Sequence, residues 1–156
     1  MHLSGIFGLL MLAGVFGLDL VIGGTGFVLH VIHVPGLMVC VFGTIGLAYL
    51  SFGALETLRA IRALSVLLAE PREIQGLARC GEVLSGAIGC MYAAGAAGTL
   101  IGVFKIVYAL AVGQTFHVSA GSVVVVLLPV FYALILAEFV LRPAVRRIRG
   151  LVAQSS

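Results

Sequence analysis

The run AAGAAGTLIGVFKIVYAL, from Ala93 to Leu110, holds the only lysine of the chain in strongly apolar surroundings. An ammonium left unpaired at membrane depth costs about 2.5 to 3.5 kcal/mol, so a group kept there pairs, reaches for the interface or acts on an ion. At about 100° per helical residue, Ala94, Gly95, Gly98, Gly102, Lys105 and Ala109 share one face. Leu100, Val103 and Val107 take the other, which suits lipid. Small residues four apart let helix backbones approach closely, which puts Lys105 on a packing face. Asp19 is placed by its segment at comparable depth. Three roles follow for Lys105: a structural charge pair with Asp19, within or between subunits; a place in an ion path or in gripping a partner helix; or snorkelling to a boundary roughly 12 Å away.

Other chemistry-bearing residues are sparse. Glu138 precedes Arg142 by four residues, the favourable order for an ion pair along a helix. This pair is expected at the opposite end of the membrane from Lys105. His30 and His33 share one connection and His117 lies in another, but no acidic or cysteine partner accompanies them, so no metal site is expected. Cys40, Cys80 and Cys90 lack any ligand spacing and read as small buried apolar residues. Neither a phosphate-binding glycine loop nor a nucleophile with its base is present, so neither an enzyme nor a cofactor is implied.

The elements that position these residues follow from composition. Of 156 residues 62% are hydrophobic and 10% charged, too few polar groups to cover a water-facing surface. An all-α integral membrane protein is expected, as one domain over residues 1–156. Four apolar stretches, Leu3 to Ile22, Pro35 to Leu55, Val83 to Val112 and Val118 to Leu141, each come near or above the ~20 residues that cross a bilayer. The first is expected to persist, because no Lys or Arg precedes it as a signal peptide requires.

Orientation follows from the arginines. Arg59, Arg62, Arg72 and Arg79 lie between the second and third spans, and Arg142, Arg146, Arg147 and Arg149 follow the fourth. The other connections have none, so both termini are expected on the cytoplasmic side. The arginines are divided between short juxtamembrane segments without an aromatic platform, which excludes nucleic acid as the partner. After the second span, Leu58, Ile61, Ala63, Leu64, Leu67 and Leu68 form an apolar face opposite Arg59 and Arg62, predicting a continuation of that helix as far as the break at Pro71. A short helix from Arg72 is expected to lead into the third span. No internal repeat suggests an inverted-repeat transporter.

Three stretches carry a resemblance. GGTGFVLHVIHVPGLMVCVFGTIGLAYLSF, Gly23 to Phe52, resembles the entry into the second helix of flagellar stator A subunits. GAAGTLIG, Gly95 to Gly102, is similar to the glycine-rich third-helix signature of the MotA/TolQ/ExbB proton-channel family. YALILAEFVLRPAVRRI, Tyr132 to Ile148, resembles the fourth-helix exit, with Pro143 at the usual proline position. The resemblance implies a pentameric ring in a bacterial inner membrane around single-span partner helices of the MotB/ExbD kind, with ion flow coupled to rotation or force. Thr99 maps onto the family's ion-path threonine. The chain departs from the pattern at Tyr92, where a proline is usual, and at Pro129 and Val130, where threonines are usual. The large cytoplasmic domain of the flagellar subunits has no counterpart. The implied function is a minimal ring-forming subunit of an ion-driven motor or force-transducing complex; the alternative is a non-conducting oligomeric scaffold of the same architecture.

Overall fold

The computed structural model describes residues 33–64, 76–112 and 120–155, and all its elements are helical. Helix α1, Val34–Phe52, begins at His33, whose Nδ1 accepts from the Gly36 amide at 3.1 Å and caps the first turn. Pro35 in that turn costs nothing, since the first amides of a helix have no carbonyl to meet. The expected first span lies outside the described residues.

Helix α1 does not continue into the following segment. Gly53 adopts φ +85° and ψ 157°, a region essentially reserved for glycine, and a separate helix α2, Ala54–Ala63, starts beyond it. The apolar face expected on this segment holds at Ala63, which is buried, and at Leu64, which packs on the core, but not before them: Leu58 and Ile61 are exposed, and Thr57 and Ala60 are buried in their place. Contact with the next long helix is close, and close helix contact selects small side chains over leucine. Positions 67 and 68 lie outside the described residues, as do 72–75.

Helix α3, Leu77–Ala111, has 35 residues and a length of roughly 52 Å at 1.5 Å per residue, well beyond the ~30 Å hydrocarbon thickness of a bilayer. Helix α4, Ala120–Leu136, passes through a single π turn at Ala137–Leu141 into helix α5, Arg142–Ser155. The fourth apolar stretch therefore does not leave the helix at Leu141 but extends by a further helical arm.

Two features account for the π turn. Pro143 has no amide hydrogen, and its ring crowds the carbonyl four residues back, at Phe139, inside the turn. Furthermore, Pro129, Ala133, Ala137, Leu141 and Val145 are all buried at a strict four-residue interval. Such a stripe would drift around an ordinary α-helix by about 40° at every step. A π turn takes in an extra residue and brings the stripe back towards α3.

Among the described residues three helices are long and apolar enough to cross a membrane: Val34–Phe52, Leu77–Ala111 and Gly121–Gln154. The outward surface agrees, with Leu50 87%, Phe104 73% and Tyr108 69% exposed. These are side chains that lipid solvates and water does not. The protein is a membrane-embedded helical bundle. Its core runs along α3, where Cys40, Val83, Leu84, Met91, Ala133 and Ala137 meet. At one end α2 and α5 both pack on the start of α3, gathering Ala60, Ala63, Cys80, Ala144 and Ile148. This brings Arg59, Arg79, Arg146 and Arg149 to a common end of the bundle.

Candidate functional site

The seam between α3 and α4 is built from glycine. A methyl group on Gly95 would lie 2.9 Å from the Pro129 carbonyl oxygen, and one on Gly98 2.9 Å from the Pro129 Cβ and 3.1 Å from Val39. A methyl on Gly102 would meet Val126 at 3.0 Å. Ala94 points to α1, where a methyl added to Gly43 would come within 3.0 Å of its Cβ. The small residues of the third span thus pack against helices of their own chain. Leu100, Val103 and Val107 are exposed on the far side.

Thr99 directly follows Gly98 of this seam on α3. Its Oγ1 is buried and has no hydrogen-bond partner. Thr44 and Thr57 behave differently, donating to the carbonyls of Cys40 and Gly53 at 2.6 and 2.9 Å. A buried hydroxyl without such a bond costs about 1 to 3 kcal/mol. On the facing helix Pro129 has no amide hydrogen to offer Val125, so the backbone ladder is one bond short close by. Polar capacity is therefore concentrated in the middle of an otherwise apolar seam.

Towards the Lys105 end the seam opens into a groove of about 550 Å³, lined by His33, Gly98, Gly102, Lys105, Ser122 and Val126 among others. The Lys105 side chain is exposed on its wall, and no described carboxylate pairs with it. Asp19, the expected counter-charge, lies outside the described residues, as do His30 and His117. The floor is fixed by His33, whose backbone amide donates to the Tyr132 hydroxyl at 2.9 Å.

No family model, curated protein or solved structure matches the chain. Its chemistry has to be read from the side chains themselves.

Towards the other end, Glu138 in the π turn forms the expected ion pair with Arg142, Nη1 to Oε2 at 3.0 Å. A second contact is not evident from local spacing: the Tyr92 hydroxyl donates to Glu138 Oε1 across the two helices. Tyr92 and Thr99 are seven residues apart, two helical turns, and so lie on one side of α3. That shared side was the available sequence signal, but the facing residue of α4 could not be identified without the register set by the π turn. Lys105 and Glu138 belong to opposite ends of the seam.

Among the described residues no three of His, Cys, Asp or Glu come together as metal ligands. Cys40 and Cys80 are buried free thiols and Cys90 is half-buried. Among the described residues of the seam no nucleophile stands beside a base; its polar groups are the Thr99 hydroxyl, the Tyr92–Glu138 contact and Lys105 in the groove.

Proposed function

We propose that this protein is a minimal ring-forming subunit of an ion-driven membrane complex of the MotA kind, carrying protons or sodium ions in a bacterial inner membrane. Both termini lie on the cytoplasmic side, and single-span partner helices convert ion flow into movement or force. The observation that carries this reading is the buried, unpartnered Thr99 hydroxyl in the α3–α4 seam. An intramembrane polar group left at such a cost is a site where something passes or binds. Lys105 stands at one mouth of the seam, and at the other the Glu138 carboxylate is paired with Arg142. The glycine stripe is occupied within the chain, so contacts in a pentamer fall to the remaining apolar faces, including that of Phe104 and Tyr108.

The test is ion flux in proteoliposomes holding the full chain, alone and with a candidate partner helix. Thr99→Val keeps the shape and removes the hydroxyl, so it should abolish most of the flux while leaving the assembled mass unchanged. Flux equal to the parent would remove Thr99 from the path.

A second reading, a non-conducting scaffold, is favoured by the closeness of Gly95 and Gly98 to Pro129. In that case the seam is a packing device, no flux accompanies any partner, and Thr99→Val increases stability by relieving the unmet hydrogen bond.

A further inference from the structure

Glu138 is the only acidic residue in the apolar helical stretch Gly121–Gln154, which is 34 residues long. The other described acidic residues are differently placed. Glu56 pairs with Arg59 and Glu82 with Arg79, each within one helix at a spacing of three residues, and Glu82 is 66% exposed. Glu138 instead bonds across to a second helix. The charged and titratable groups that face it are Tyr92 from α3, on Oε1, and Arg142 from its own helix, on Oε2. It sits in the π turn, a rare element that recurs at functional sites because it re-aims a side chain within a helix. Thr99 lies farther along the same side of α3, roughly 10.5 Å away along the axis.

We infer that Glu138 is a proton-exchange site at the arginine-bearing end of the seam, loading and unloading one proton between the seam and the water beyond Arg142. As part of a path it rests on the proposed reading of the seam; as a proton-binding site it is tested independently. The chemistry is a bare proton transfer. A proton adds to one carboxylate oxygen, the neutral acid forms, and the charge pairing with Arg142 lapses. Loss of the same proton to water restores the carboxylate and its ion pair. No other bond is made or broken, and one proton enters for each that leaves. Tyr92 serves both states, because a phenol donates to a carboxylate and can donate to or accept from a carboxylic acid. Arg142 offers its charge only to the ionised form, which returns the site to readiness after release. Tyr92 is thus a positioning residue and Glu138 the group that carries the proton.

The experiment combines pH-titrated infrared difference spectra of the full chain in proteoliposomes with proton flux followed by an entrapped pH dye. As the pH falls, the parent should gain the C=O stretch of a protonated carboxyl, and that band should shift in deuterated solvent. Glu138→Gln should remove that band, and Tyr92→Phe should shift its frequency. Where the parent carries flux, Glu138→Gln should lower it about tenfold or more, the scale of losing a positioned proton carrier, while Glu82→Gln leaves it unchanged. A band that persists in Glu138→Gln overturns the inference. So does parental flux in Glu138→Gln under conditions where Thr99→Val has lost it, and in that outcome the ion path itself still stands. If the parent carries no flux, the ion-path reading fails and the band alone decides: its loss in Glu138→Gln supports proton binding, and its absence from the parent refutes it. If Glu138→Gln does not fold, Tyr92→Phe decides, a shifted band supporting the inference and an unshifted one overturning it.

Discussion

Gly95 on α3 meets Ala133 on α4 so closely that a methyl group added to the glycine would stand 2.5 Å from the alanine Cβ. Gly89, on the same helix but nearer its start, has nothing within 4 Å of the same added atom. The two glycines share a helix and should respond to substitution in opposite directions. Gly95→Ala forces the helices apart or the neighbours off their rotamers, at about 1 to 3 kcal/mol. Gly89→Ala gains helix propensity of up to about 1 kcal/mol. Unfolding in detergent by mixed-micelle titration measures both. Equal effects at the two positions would refute the packing assigned to the seam.

A second substitution tests the break between α1 and α2. Gly53 combines φ +85° with ψ 157°, and an L-residue pays about 1 to 3 kcal/mol to remain there. Gly53→Ala should therefore lower stability by that amount, although nothing lies within 4 Å of the added methyl. Spin labels on α1 and α2 would show whether the chain relieves the strain by straightening into one helix. An unchanged interhelical distance with unchanged stability would argue against the glycine-only conformation.

Much of this architecture was legible in the sequence because hydrophobic run length and helical period act locally. Leu100, Val103 and Val107 fall on the exposed side as their spacing requires, and the Glu138–Arg142 pair needs nothing beyond i, i+4 geometry. Elsewhere the reading failed where a long-range contact overrode a local rule. Leu58 and Ile61 were expected on the apolar face, yet they are exposed and Thr57 and Ala60 are buried, because a close helix contact admits only small groups. The Tyr92–Glu138 bond depends on the rotation that the π turn introduces. Wheel geometry based on a uniform α-helix cannot supply that rotation.

The common end shared by the bases of α2, α3 and α5 carries a topological consequence. Single cysteines replacing Arg59 and Arg146, both exposed, should resist an impermeant thiol reagent applied outside intact cells and react once the membrane is opened. Cys80 is only 2% exposed, so it should remain silent at this end in either case, and a control lacking Cys40, Cys80 and Cys90 fixes the background. External labelling at one position but not the other would break the common end apart. External labelling at both would invert the orientation.

Lys105 provides the last test. It stands exposed on the wall of the seam's groove. The described acidic residues, Glu56, Glu82 and Glu138, belong to the arginine-bearing half of the bundle. Asp19, the counter-charge expected from the sequence, lies outside the described residues. If the two form a structural pair, Lys105→Met or Asp19→Asn alone should destabilise the assembly by about 3 to 5 kcal/mol or less, according to how far the groove admits water, because one charge stays uncompensated. The double variant should recover most of that loss. If Lys105 acts on an ion or on a partner's carboxylate, Lys105→Met should leave the assembled mass unchanged and alter flux or partner retention whether or not Asp19 is present. A double-mutant cycle on both residues, reading stability and flux in the same preparations, separates the two. Strong coupling in stability with no separate effect on flux leaves the lysine a structural element; additive behaviour in stability with a flux effect from Lys105 alone assigns it to the path.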